Sequence, residues 1–143
     1  GSFRGDFAIA RFNTDGSLDN GFDDDGRVTT DFNLATDALS GLAIQADGKI
    51  IAAGSSHTSV NASSLARYNT DGSLDNEFDG DGLLITNFGY PGTIRSVAIQ
   101  SDGNIIVAGR KSHCIGKVSS KRWQPGSRLR QRWHSRHRHF FFL

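Results

Sequence analysis

Asn13-Thr14-Asp15-Gly16-Ser17-Leu18-Asp19-Asn20 returns without a change as Asn69-Thr70-Asp71-Gly72-Ser73-Leu74-Asp75-Asn76, 56 positions further on. An identical octapeptide at that interval marks a tandem repeat, and periods of this size belong to solenoids and propellers. Asn and Asp side chains bond their own backbone in turns, and Gly16 and Gly72 supply the positive φ that a tight turn needs. The octapeptide therefore reads as a structural turn. It seats Leu18 or Leu74 and, four residues later, Phe22 or Phe78, as core anchors.

Phe7–Asn13, just upstream, is a short apolar and aromatic run that ends at this turn, so it reads as a strand. Downstream, Asp23-Asp24-Asp25-Gly26 is a second turn, and Arg27–Phe32 alternates like a half-buried strand. Ala38–Gln45, the turn Ala46-Asp47-Gly48-Lys49 and Ile50–Gly54 form the clearest local unit, since Asp-Gly between apolar runs is a strong hairpin signal. Leu65–Tyr68, Phe78, Gly82 and Phe88 repeat Ile9–Phe12, Phe22, Gly26 and Phe32. Val97–Gly109 then repeats the hairpin, with Gly103 in its turn and the register slipped by one residue. The Ser-rich stretch Ser55–Ser64 reads as a connector, with His57 exposed within it. On this division the repeat units are residues 1–54, which start mid-blade at the end of a hairpin, and 55–109, followed by a basic tail at 110–143.

About four short strands per unit and no helical pattern predict an all-β chain, a fragment of a β-propeller of about two four-stranded blades. A parallel β-helix is the competing architecture, but its coils are shorter and lack a hairpin-centred unit. The motifs Arg-(Phe/Tyr)-Asn-Thr-Asp-Gly-Ser-Leu-Asp, Phe-Asp-x-Asp-Gly and Ala-Ile-Gln-x-Asp-Gly-(Lys/Asn)-Ile-Ile-x-Ala-Gly resemble the bacterial delta-60 repeat over residues 1–109. The resemblance implies a propeller-like fold within a large, multi-repeat bacterial protein, secreted or attached to the cell surface. It carries over no catalytic residue.

Charge divides the chain. Residues 1–109 hold all 15 acidic side chains and 6 of the 16 Lys and Arg, whereas residues 110–143 hold the other 10 and no acid. Such a split suggests a basic arm, with Trp123 and Trp133 to stack on bases. His134, His137 and His139 with Cys114 suggest a metal site, but their spacing fits no zinc pattern. The genetic code favours a third reading. Read one base later, Trp123-Gln124-Pro125-Gly126 encodes Gly, then Asn or Ser, then codons that allow Leu and Asp, which is the repeat's Gly-Ser-Leu-Asp. Shifted Trp133 gives Gly, spaced from that Leu as Gly26 is from Leu18. The tail from about Ser112 is therefore expected to be a third repeat translated out of frame. On that reading it is aberrant or disordered and binds no nucleic acid.

No apolar run is long enough for a spanning helix. The chain contains no Met, which suggests a piece of a longer protein, and its single Cys excludes an internal disulfide. Candidate chemistry rests on the acidic turns. Asp15, Asp19, Asp23, Asp25, Asp71, Asp75, Asp79 and Asp81 are calcium candidates, with Asn13, Asp24 and Asn69 beside them, because Ca²⁺ takes six to eight hard oxygens. The final Glu of an EF-hand loop is missing. Turn-making and solubility account for the same residues without an ion, and that reading is preferred. Carboxylates that recur in every unit also argue against a catalytic pair. No catalytic residue and no cofactor other than calcium is expected. The expected function is a non-enzymatic scaffold, structural or for adhesion or ligand binding. Its partners would be further repeats of the same parent chain and a carbohydrate or cell-surface protein. A propeller enzyme acting on carbohydrate at a channel site is the alternative.

Overall fold

A computed structural model describes residues 5–32, 36–57, 61–86, 92–110 and 114–118; for Asn61 and 114–118 it describes the backbone alone. Phe88 and most of the basic tail, including Trp123, Trp133, His134, His137 and His139, lie outside the described residues. All regular structure among the described residues is strand. The elements are β1 (Phe7–Ala10), β2 (Arg27–Thr30), β3 (Thr36–Ile44), β4 (Ile50–His57), β5 (Asn61–Tyr68), β6 (Leu83–Thr86), β7 (Thr93–Ile99), β8 (Ile105–Arg110) and β9 (Cys114–Val118). No helix among them is long and apolar enough to cross a membrane, which leaves membrane β-barrels unaddressed.

The strands form three antiparallel sheets: β1-β2, β3-β4-β5-β6 and β7-β8-β9. Each sheet is a meander of sequential neighbours, the arrangement of a propeller blade. Nine strands make about two blades' worth, of which one blade is complete among the described residues. That complete blade runs from Thr36 to Thr86. The sequence period divides at Gly54/Ser55, inside β4, so a repeat unit starts mid-blade. The sequence period is real, but each period supplies the hairpin of one sheet and the outer strands of another.

Alternation along β4 and β5 shows why the middle sheet is buried on both faces. Successive side chains of a strand point to opposite sides. Ile50, Ala52, Ala66 and Tyr68 join Phe7, Ile9, Phe22, Val28 and Phe32 in a core against the first sheet. Ile51, Ala53 and Leu65 join Phe78, Ile94, Ile105 and Val107 in a second core against the third. A strand covered on both sides reads as a continuous apolar run, and β4 is buried from Ile50 to Ser56.

The reading of Ser55–Ser64 as an exposed connector is corrected. β4 continues to His57 and β5 begins at Asn61, and the two pair along their whole length with Ser55 opposite Ser63 and Ser56 opposite Ala62. Ser55, Ser56, Ser63 and Ser64 are buried, and His57 is half-buried rather than exposed. Small hydroxyl side chains let the sheets approach while satisfying one another: Ser56 Oγ and Ser64 Oγ share a hydrogen bond of 2.5 Å. Polarity pointed to a loop here, but paired hydroxyls are tolerated in a core.

Gly54 shows how tightly the hairpin is built. It faces a register shift between Leu39 and Gly41, and a Cβ there would collide with the Ala38 carbonyl oxygen and the Phe7 ring. Gly109 meets the Thr93 carbonyl in the same way, opposite the shift between Ile94 and Ser96. Gly16, Gly48, Gly72 and Gly103 all have positive φ, between 81° and 93°, as the turn reading requires.

Cys114–Val118 pairs with β8, Gly109 opposite Cys114 and Ile105 opposite Val118, much as β5 pairs with β4. Ile115 and Val118 are β-branched residues that suit a strand, and strand pairing extends beyond the point at which the repeat motif ends.

Candidate functional site

The octapeptide turns are superimposable in their bonding. Asn13 N–H donates to Ser17 O at 2.8 Å and Asp19 N–H to Arg11 O at 3.0 Å; Asn69 to Ser73 and Asp75 to Arg67 repeat this at 2.8 and 2.9 Å. Asp15 Oδ1 accepts from the Ser17 hydroxyl and N–H, and Asp71 does the same for Ser73. These bonds, led by the Ser hydroxyl, hold both carboxyls below the usual carboxylate range. Asp25 and Asp81 accept from the N–H two residues ahead, at Arg27 and Leu83.

Above each turn sits a cassette of Arg, Asp and Phe. Arg11 lies over the Phe22 ring at 4.7 Å and its Nε bonds Asp19 Oδ2 at 2.8 Å. Arg67 lies over Phe78 at 5.0 Å with its Nε 2.6 Å from Asp75 Oδ2. The Arg67 N–H does not point along that contact, so charge attraction rather than a hydrogen bond holds the pair. In the second unit the cassette is buried, with Arg67 at 7% and Asp75 at 4% exposure, and Lys49 Nζ adds a bond to Asp75 Oδ2 at 2.8 Å. Burial pushes the Asp75 carboxyl up, but the Lys49 bond, the Glu77 N–H and the Arg67 and Lys49 charges outweigh it and leave it below the ordinary value. Asp79 moves the other way, raised by burial and by the Asp81 charge.

The units stack turn on turn. Arg11 Nη1 donates to Thr70 O, Asp23 N–H to Asp71 O at 2.7 Å, and Lys49 reaches from the first unit's hairpin turn to Asp75. Phe22 and Phe78 are the fully committed anchors, at 0% and 5% exposure. Leu18 and Leu74 are both half-buried and cover Gly26 and Gly82; Leu74 also packs against the first core, whereas Leu18 belongs to neither core. The first unit covers Leu74; Leu18 has no such neighbour among the described residues.

The calcium candidates therefore lie in roles that the turns and cassettes already define. Asp19 and Asp75 face internal cations. Asp15, Asp25, Asp71 and Asp81 cap turns, and Asp23, Asp24 and Asp79 adopt positive φ at the second turn. None of them belongs to a converging group of three ligands among the described residues. The one group that does converge was not foreseen: Asp6, Asp31 and Asp37 place a carboxylate oxygen each within 4.8 Å of one another. Phe7 pairs with Thr30, so Asp6 and Asp31 stand opposite each other at the end of the β1-β2 ladder. Asp37 joins them because its N–H donates to Gly5 O at 2.5 Å and its Oδ2 accepts from Phe32 N–H at 2.9 Å. Comparing the units position by position would have exposed the cluster. Its counterparts in the second unit are Ala62, Asn87 and Gly92, so it breaks the repeat.

Residues 1–22 and 45–78 match the family model described as "Domain of unknown function (DUF5122) beta-propeller". Each matched stretch contains one copy of the octapeptide. The chain carries β-propeller repeats. The propeller units matched are those whose turns and cassettes stack as described above. Comparisons with curated proteins and with solved structures return no match.

Proposed function

We propose that this β-propeller segment is a non-enzymatic scaffold, part of a secreted or cell-surface bacterial protein of the delta-60 repeat type, serving adhesion or ligand binding. The observation that carries the reading is the use of the repeated polar groups. In both units the Arg, Asp, Asn and Ser side chains of the motif bond their own turn, their own cassette or the neighbouring unit. Residues committed in this way in every unit hold the stack together, which supports a structural role for them.

A second feature supports further repeats as partners. On β7, Val97 and Ile99 pack against the core shared with the middle sheet. Their counterparts on β3, Leu42 and Ile44, are 48% and 71% exposed. That apolar stripe fits another propeller unit, seated on β3 as the middle sheet seats on β7. The reading is tested with a longer version of the parent protein. It should be monomeric, more stable than this 143-residue chain, and able to retain glycans or cell-surface protein without cleaving them. Turnover of a glycan by the intact protein, abolished by a single carboxylate substitution, would contradict it.

A further inference from the structure

We propose that Asp6, Asp31 and Asp37 form a divalent-cation site, with Ca²⁺ as the ion that fits, tying the first sheet to the start of the middle one. Asp37 is the decisive member. It is 4% exposed, and no donor among the described residues reaches its Oδ1. Its other oxygen is held by Phe32 N–H, which fixes the carboxylate in place. A buried carboxylate oxygen without a partner is costly, and proteins resolve it with a counter-charge or a metal. No ion pair to any of the three acids is formed among the described residues.

The neighbours make the need greater. Like charges directly opposite on paired strands repel, and Asp6 and Asp31 stand so at the ladder end. Both are exposed, which gives an ion access from solvent. The ligand set is oxygen only, which selects hard cations over zinc, copper or nickel. Carboxylate oxygens within 4.8 Å of one another can share one hard cation. Ca²⁺, which accepts six to eight oxygens in flexible geometry, suits a cluster of exposed and buried carboxylates better than Mg²⁺, which demands near-ideal octahedral geometry. The three acids come from before β1, after β2 and within β3. An ion bound to all three would therefore clamp two sheets that are otherwise joined here by the Asp37–Gly5 and Asp37–Phe32 bonds. This site is distinct from the acidic turns: its members do not recur in the second unit, and it is independent of the scaffold reading.

The test uses the full 143-residue chain, with CaCl₂ and MgCl₂ as probes, thermal melting followed by circular dichroism, and calorimetric titration. Ca²⁺ should raise the melting midpoint with half-effect on the order of 10⁻⁴–10⁻³ M, the range of weak extracellular sites. Mg²⁺ should raise it less. Asp31→Asn, at an exposed position that folding tolerates, should weaken Ca²⁺ binding by about tenfold or more, and Asp37→Asn likewise. In EGTA the order should reverse, with Asp37→Asn melting above the wild type because the uncompensated charge is gone. Asp15→Asn/Asp71→Asn, in the turns, should keep the full response. Absence of a Ca²⁺ response, an equal or larger response to Mg²⁺, or a response that survives Asp31→Asn and Asp37→Asn would overturn the assignment.

Discussion

Asp19 and Asp75 occupy the same place in two copies of one motif, yet replacing each with Ala should have very different consequences. Asp75 is 4% exposed, faces Arg67 and Lys49, and accepts from Glu77 N–H. Its removal leaves the Arg67 guanidinium, at 9% side-chain exposure, buried without a counter-charge. Breaking a buried pair in this way costs about 3–5 kcal/mol. Asp19 pairs with Arg11 at 31% and 34% exposure. Water can replace that partner, so the ion pair is worth about 0.2–1 kcal/mol, and the lost bond to Gly21 N–H adds about 1 kcal/mol. The difference is at least about 1 kcal/mol and centres near 2.5 kcal/mol. Urea unfolding of the two variants, followed by circular dichroism, measures it as a difference in midpoint at constant slope. Re-packing gives a second check: Asp75→Leu combined with Arg67→Met should recover most of the Asp75→Ala loss, because a buried pair replaced by apolar groups is close to neutral. Equal losses at positions 19 and 75 would mean that burial by the neighbouring unit does not set the strength of the cassette.

Further outcomes follow from the same geometry. The lowered Asp75 pKa means that the unfolded chain takes up the proton first as pH falls, so this stabilisation is full above the ordinary carboxylate range and is lost as pH drops through the Asp75 value. Asp75→Asn should flatten that acid limb of the stability profile. Asp79 has the opposite sign: its raised pKa makes the ionised form a cost at neutral pH that protonation relieves. Asp79→Asn should therefore stabilise by a few tenths of a kcal/mol at pH 7, screened as the site is, with the gain fading as pH falls through the Asp79 value. Gly54→Ala should cost at least about 2 kcal/mol in urea melts, because the Cβ meets the Ala38 backbone on an interior strand. For the basic tail, sequencing of the coding DNA should reveal an open alternative frame from about codon 112 that spells another Asp-Gly-Ser-Leu-Asp turn; stop codons in that frame would end the idea.

Much of the fold was legible because turns are local. Asp-Gly at 47–48 and at 102–103 marks its hairpins, and the identical octapeptides predict identical bonding, which the two turns display. Phe22 and Phe78 were recognisable as anchors because large aromatic side chains in a polar loop have few other uses. What escaped was set by packing between units. Ser55–Ser64 looks like a linker by composition, and only the burial of both faces of β4 and β5 makes its hydroxyls interior groups. The pairing of Arg67 with Asp75 depends on the turn folding back over the strand, eight residues that no strand or helix period brings together. Asp6, Asp31 and Asp37 converge through a ladder end and a third strand, and their only sequence signal is that the second unit lacks them.

Amide hydrogen exchange measured residue by residue on the native chain reads directly which strands form the protected interior. The sheets are built across the sequence repeat, with β4 and β5 at the centre of a blade covered on both faces. The slowest-exchanging amides should lie in β4 and β5, including Ser55 and Ser56 on one side of the 58–60 link and Ser63 and Ser64 on the other, because these lie in the pairing between two buried strands. Rapid exchange through 55–64, with protection confined separately to the stretches before and after it, would show that the units fold by sequence period and would contradict the account.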